Sequence, residues 1–528
     1  MSNKPYSHIG RQLLPCIIFS ALTGFFAALI ITVFKILAEL AVHASVSAYE
    51  AVRANPILLP ILVLGAALLG LAASFIITKS PDCKGGGIPS SVAAIQGILS
   101  FRWVAGVLLL PVSALLTFLA GLPLGTEGPC VQMGTAVGDG VVQCLGREKH
   151  RGWRRYIMTG GAAAGFSIAT ASPISAIIFS MEELHKRFSP IILSVASISV
   201  ITAQFTARAL AALGIGELGL FQPSELPVLP ANLFFAPILL GIVSGLCSVL
   251  YTRLYHHAEG MMRKALGKLP VKIVFPVIFA VIAVIGFFLA GTLGSGHSLI
   301  NSLFTENTVW YLLVLVLLIR AAGMVACNTV GATGGLFLPT LAFGAIMGSL
   351  FASAVISLGW IGEEHYVLLV VLGTVSFLGA TSRIPLTACV FAIEALGGID
   401  NILPIVITTI IPLIIIESSG LEDMTDKLIE TRLHKVSGVN PPLEVEVPLT
   451  VKPSSFAVGK RLKSLLWPGG CIVLGFDGGE HSDGHALISE GDVITVRYKT
   501  HDPAATVKEL TDLVGEQEGD TLRAMVPD

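Results

Sequence analysis

GTEGPCVQMGTAVG, residues 125–138, and GGLFLPTLAFGAIMG, residues 334–348, carry one pattern: Gly125, Pro129, Gly134 and Gly138 recur 210 residues later as Gly335, Pro339, Gly344 and Gly348. SPISAIIFSME around Pro173 and IPLTACVFAIE around Pro385 match almost class for class, each ending in a glutamate nine residues after the proline, Glu182 or Glu394. Two duplicated halves, roughly 10–215 and 230–435, are the simplest reading. In a membrane protein, Gly/Pro-interrupted segments at corresponding places in two halves point to a transporter whose substrate site lies between the repeats.

Composition places the chain in a membrane. It is 53% apolar and 13% charged, against roughly 25% charged for an average soluble domain. Uncharged runs exceeding the roughly 20 residues that a spanning helix needs lie between Arg11 and Lys35, Arg53 and Lys79, and Lys272 and Glu306. A polytopic helical protein follows, because a barrel would show short alternating segments instead. No cleavable signal peptide is expected, since the first apolar stretch runs far past a typical signal core.

Basic residues gather in GREKHRGWRR (Arg147, Lys149, Arg151, Arg154, Arg155), in HKR (Lys186, Arg187) and in RKALGKLPVK (Arg263, Lys264, Lys268, Lys272). Such loops stay cytoplasmic. Eight cysteines are scattered without a CxxC, and the histidines form no cluster, so neither a structural metal nor a disulfide framework is expected. A net charge of −2 implies no nucleic-acid partner.

Three glycine-rich breaks interrupt the apolar segments: KGGGIPSS at 84–91, GTEGP at 125–129 and GATGGLFLP at 331–339. Glycine permits an unwound backbone, and proline suits a first helical turn. Each break therefore reads as an extended segment feeding a helix N-terminus, where free N–H groups and the macrodipole favour an anion without a fully charged lysine or arginine. Weak binding of this kind suits permeation, which requires release. A lone break reads equally well as close helix packing; three breaks, two of them repeat-related, turn the reading toward a ligand site. Glu127 is the sharpest residue, an ionisable group inside an apolar stretch at a helix start. Ionised, it occupies the anion position itself; protonated, it leaves, so proton and anion compete for one place.

Past residue 437 the chain turns polar and strand-rich, which marks a small α+β domain at 441–516 with a tail at 517–528. LEVEVPLTV alternates, SSFAVGKRLKSLL reads as a short helix capped by serine, CIVLGF and DVITVRY read as strands, and HDPAATVKELTDLVG as a final helix. This order, with its GK-x-L and EGD-x-I elements, resembles the TrkA-C (RCK C-terminal) domain. The resemblance implies a cytoplasmic module that dimerises and takes a small-molecule ligand.

KGGGIP, GTEGP followed by CVQMG, and GGLFLP resemble, in order, the GSGIP, GREGP and GxFxP signatures of the CLC chloride channel and transporter family, and SPISAIIFSMEE and SRIPLTACVFAIE extend the likeness over about residues 10–435. The resemblance implies a homodimer with one pore per subunit and inverted repeats. By position, Glu127 matches the external gating glutamate and Glu183 the inner proton-transfer glutamate, a pair that favours an exchanger over a channel. The backbone amides of Leu336 and Phe337 match central anion donors, and those of Gly85 and Gly86 the inner anion site. Three departures stand beside these matches. Gly86 replaces the family's serine, Thr126 replaces the arginine of GREGP, and MTDKLIETRL offers only Met424 or Thr425 where a tyrosine is usual.

The expected fold is thus an all-α polytopic membrane protein with two inverted repeats and broken helices over residues 1–435, followed by the small α+β domain. The expected function is a proton-coupled chloride antiporter of the plasma membrane, multi-pass, with the C-terminal domain cytoplasmic. A fluoride- or nitrate-selective exchanger, or a passive chloride channel of the same fold, is the alternative. A potassium transporter or channel, which would explain the TrkA-C-like tail, is disfavoured by the missing carbonyl filter sequence and by helix N-termini that favour anions, and an intramembrane enzyme by the absence of HExxH and GxSxG. No cofactor is implied.

Overall fold

The protein is described by a computed structural model covering residues 5–99, 102–146, 148–216, 221, 226–305, 309–436, 443–453, 455–476, 484, 486–500, 503–517 and 523–525. Arg147, Ser454 and most of the tail expected at 517–528 lie outside the described residues.

Two sets of eight helices follow one another. The first comprises α1 (Pro5–Ala54), α2 (Leu59–Lys79), α3 (Ile88–Ile95), α4 (Trp103–Leu119), α5 (Glu127–Leu145), α6 (Arg154–Thr170), α7 (Pro173–Glu182) and α8 (Pro190–Ala212). The second comprises α9 (Phe235–Leu266), α10 (Val271–Phe288), α11 (His297–Thr305), α12 (Trp310–Val330), α13 (Phe337–Ser357), α14 (Tyr366–Thr381), α15 (Pro385–Ala395) and α16 (Ile402–Ser418), and α17 (Met424–Val436) comes after them. Long and short helices fall in the same order in both sets. Packing repeats as well: α5 lies on α6 as α13 lies on α14, and α1 lies on α8 as α9 lies on α16.

Among the described residues, nine helices are long and apolar enough to cross a membrane. The short members α3, α7, α11 and α15 are not, since even the 11 residues of α15 rise only about 16 Å against a hydrocarbon core of about 30 Å. Two of the uncharged runs divide differently from their sequence boundaries. Lys35 does not end a helix but sits inside α1, which continues to Ala54 because no breaker intervenes before Pro56. The run from Lys272 to Glu306 is split between α10 and the short α11.

The later glycines of the repeated pattern turn out to be packing residues. A Cβ on Gly134 would overlap the Gly161 carbonyl of α6, and one on Gly344 would lie 2.6 Å from the Gly373 carbonyl of α14. The two repeats also grip each other reciprocally. Glu182, at the end of α7, accepts the first-turn N–H groups of Leu386 (3.0 Å) and Thr387 (2.8 Å) on α15. Glu394 of α15 accepts those of Ile174 (2.9 Å) and Ser175 (2.8 Å) on α7. Each carboxylate thereby caps the partner helix, where negative charge is favoured.

The C-terminal domain holds β1 (Leu443–Val451), β2 (Cys471–Phe476), β3 (Val493–Thr500), α18 (Pro503–Leu513), β4 (Gly515–Gln517) and β5 (Arg523–Met525). Its sheet runs β2-β3-β1-β4 with β5 also on β1, and the described pairings are antiparallel. Val445, Val447, Leu449 and Val451 alternate inward. SFAVGKRLKSLL, the described part of the expected serine-capped helix, is not a helix. Gly459 takes φ 76°, and the segment bonds sideways, Gly459 N–H to Ile488 O (2.8 Å) and Leu462 N–H to Ala486 O (3.1 Å), leaving only a 3-10 turn at Leu462–Ser464. The domain packs on the membrane part: Phe456 meets Trp153 edge-on, Tyr156 Oη donates to Ser464 O (3.1 Å), Gly469 N–H donates to Gln96 O (2.6 Å), and Arg155 pairs with Glu509.

Gly134→Ala and Gly344→Ala should each lower thermal stability in detergent by at least about 1–3 kcal/mol, the range for overpacking a close contact. Gly65→Ala meets nothing within 4 Å and should melt no lower than the unsubstituted protein. Size-exclusion fluorescence after stepped heating reads both, and equal melting of all three variants would contradict the packing role.

Candidate functional site

The three breaks meet at one junction. Gly125 N–H donates to Gly335 O at 2.8 Å and Gly335 N–H returns the bond to Gly125 O at 2.7 Å, an antiparallel bridge between equivalent residues of the two repeats. The third break joins through Gly85, whose N–H donates to Gly331 O (3.0 Å) and whose carbonyl accepts from Gly334 (3.4 Å). Side chains fasten the set, Thr333 Oγ1 donating to Cys83 O (2.7 Å) and Gln132 Nε2 to Asp82 O (2.7 Å). The backbones approach so closely that a Cβ on Gly128 would overlap the Gly86 carbonyl, and one on Gly87, at φ 80°, the Gly128 carbonyl.

Helix starts converge on this junction. Leu336 precedes α13 and Phe337 opens it, and neither N–H has a backbone acceptor among the described residues. The Gly86 N–H is likewise without one, and Gly86 lies beside Leu336, since a Cβ there would approach Leu336 Cγ to 3.9 Å. Gly85 departs from expectation. Its N–H is engaged by Gly331, so of that pair Gly86 is left as the donor. The Phe337 ring stands edge-on to Phe166 (5.1 Å) and Phe391 (5.7 Å), an apolar wall beside the donors.

Glu127, the first residue of α5, is fully buried. Thr126 Oγ1 donates to its Oε1 at 3.1 Å, while Oε2 has no hydrogen-bond partner among the described residues. The carboxylate faces its own N–H and that of Leu338 in the first turn of α13. Gly125 makes room for it, because a Cβ there would collide with Oε2. An acid of one repeat thus lies at the helix start of the other.

Glu183 lies apart from the junction. It follows α7 as its C-cap, 3% exposed, and accepts Thr425 Oγ1 at 2.7 Å, with Asp423, Lys186 and Asp426 as its charged neighbours. Of the two residues standing where a tyrosine was expected, Thr425 is therefore the one that reaches a polar group, and that group is Glu183. Sequence reasoning missed Lys35. Its ammonium caps the end of α6 at Ile168 O (3.2 Å), a full positive charge held within the membrane part. A single lysine inside an otherwise apolar helix was the available signal, which its use as the end of a run concealed.

Comparison with known proteins finds similar chains. The H(+)/Cl(-) exchange transporter ClcA of Klebsiella pneumoniae is 26% identical over 379 residues, covering 71% of this chain and 80% of that protein. A slow cyanobacterial Cl-/H+ antiporter superposes with a TM-score of 0.71 at 21% identity, over 80% of this chain and 98% of its own. A CLC-type fluoride/proton antiporter superposes at 0.63 and 21% identity, over 77% of this chain and 96% of its own. At such identity the likeness of the two structures is one of fold. The family described as voltage gated chloride channel matches residues 69–416. Matched over more than half its length, the chain belongs to the voltage gated chloride channel family.

Proposed function

We propose that the protein is a proton-coupled chloride antiporter, exchanging H+ for Cl− through a pore in each subunit of a homodimer, with Glu127 as the gate and Glu183 as the proton-transfer group. The observation that carries the reading is the position of the Glu127 carboxylate, buried against the first turn of α13 with one oxygen unpartnered. Free N–H groups and the helix dipole favour an anion there, so the carboxylate stands where the ion would stand. Ionised, Glu127 fills the place. Protonated, it no longer competes, and an anion takes its place against the Leu338 N–H, next to an anion site formed by the N–H groups of Gly86, Leu336 and Phe337. Proton arrival and anion occupancy are thereby linked, which is what exchange requires. The relative and the structure bearing proton/chloride exchange in their names support the same reading.

Glu183 exchanges protons with solvent on the side where the C-terminal domain packs. That side is the cytosol in this reading, because Arg151, Arg154 and Arg155 lie there against the domain and basic residues near membrane segments stay inside. The membrane is the plasma membrane, and the domain is a TrkA-C-like module that binds a small molecule. A fluoride- or nitrate-selective exchanger is the second reading, favoured by one observation: Gly86 brings no hydroxyl to the anion.

Reconstituted into liposomes under a chloride gradient, the protein should move protons against chloride, and Glu127→Ala should abolish the proton movement while chloride flux continues. Chloride flux without proton movement in the unsubstituted protein would leave a channel; flux of fluoride or nitrate but not chloride would change the substrate. Gly86 also yields a gain-of-function prediction. Unlike Gly85 and Gly87 it is not at positive φ, and a Cβ would meet nothing closer than 3.6 Å. Gly86→Ser should therefore fold and tighten chloride binding about tenfold, roughly 1.4 kcal/mol for one added hydrogen bond to an ion. Titration calorimetry measures it, and unchanged affinity would remove Gly86 from the anion site.

A further inference from the structure

The surroundings of Glu183 form a graded series from buried carboxyl to solvent. Thr425 Oγ1 donates to Glu183 Oε1 at 2.7 Å, and Thr425 N–H faces Asp423 Oδ1 at 3.3 Å. The other Asp423 oxygen accepts Lys186 Nζ at 2.9 Å, and the same ammonium reaches Asp426 Oδ2 at 2.5 Å. Exposure rises along the series, from 1% for the Asp423 side chain to 41% for Lys186 and 56% for Asp426. Two carboxyl groups, Glu183 and Asp423, are therefore buried as neighbours, and one cation serves the second of them directly. Two buried carboxylates cannot both be ionised cheaply. Lys186 balances Asp423, which leaves Glu183 as the member free to take and give a proton. His256 stands near Asp423, with Glu259, Glu422 and Lys427 as its other charged neighbours, and Lys427 pairs with Glu422.

Backbone geometry singles out Lys186 as well. It holds φ 50°, in a region where a residue other than glycine is uncommon and where such strain clusters at working sites. Turned this way, its ammonium reaches both aspartates from the α7–α8 loop.

Resting on the antiport reading, we propose that Thr425 is a further proton-transfer residue, passing protons between Glu183 and the solvent-facing Lys186–Asp426 pair, with Asp423 positioning it. The hydroxyl gives its proton to Glu183 Oε1 as its oxygen accepts another from a water molecule, and that water regains its proton from solvent at the exposed Lys186–Asp426 pair. One proton moves, and the threonine ends as it began. The reverse order releases a proton. The position filled by a hydroxyl-bearing residue at the start of α17 thus serves the proton rather than the anion in this chain.

Thr425→Val removes the hydroxyl and keeps the shape, and Thr425→Ser restores the hydroxyl. In liposomes, Thr425→Val should lower proton flux about 100-fold, the lower range for losing a positioned proton carrier, with chloride flux continuing, and Thr425→Ser should recover most of it. Asp423→Asn keeps an oxygen to cap α17 and removes only charge, so it should fold and move the pH of half-maximal proton flux to lower values. Unchanged proton flux per chloride in Thr425→Val, or an unchanged pH profile in Asp423→Asn, would overturn the proposal while leaving the roles of Glu127 and Glu183 intact. Chloride flux without protons in the unsubstituted protein would instead overturn the antiport reading, and this proposal with it.

Discussion

Two hydrogen bonds between Gly125 and Gly335 hold the centre of the membrane part together. Unwound backbone inside a membrane must find partners within the protein, since lipid offers none. Each break meets that need with the other, and because the paired residues are equivalents in the two repeats, the bond pattern is that of a local two-fold axis. The pairing requires backbones closer than any side chain allows, hence glycine at 87 and 128. Once the breaks are joined, the starts of α5 and α13 lie close together, and the N–H groups of Leu336 and Phe337 have no backbone acceptor among the described residues.

The same symmetry appears in the crossed caps of Glu182 and Glu394, which lock α7 and α15 start to end. Function arises where the symmetry is violated. Two residues after Gly125 stands Glu127; two residues after Gly335 stands Phe337. One repeat supplies a titratable side chain and the other supplies backbone donors, and the carboxylate of the first lies against the helix start of the second. A symmetric pair of acids would leave no donors for an anion, and a symmetric pair of apolar residues no group to carry a proton.

Much of this was legible in the chain. The duplicated Gly and Pro pattern announces the repeats, and an acid between two glycines in an apolar stretch announces the gate, because both are local signals. What depends on contacts distant in sequence was hidden. Gly134 and Gly344 look like members of the same motif as Gly125 and Gly335, yet they serve helix packing, a distinction made only by what lies opposite. Gly85 was expected to offer its N–H to an anion, and a carbonyl 246 positions away claims it. Thr425 and Glu183 meet across 242 positions, and Lys35 meets the Ile168 carbonyl across 133. In the C-terminal domain, SSFAVGKRLKSLL has helical composition, but pairing with residues 486–488 outcompetes a helix.

The central claim is that the Glu127 carboxylate and the transported anion share one place at the start of α13. Bromide, located by its anomalous scattering in crystals of the unsubstituted protein and of Glu127→Gln, tests it directly. The account predicts bromide beside Gly86, Leu336 and Phe337 in both, with an added bromide at the vacated carboxylate position, against the Leu338 N–H, in the variant alone. The same bromide positions in both proteins, or none at the start of α13, would contradict it.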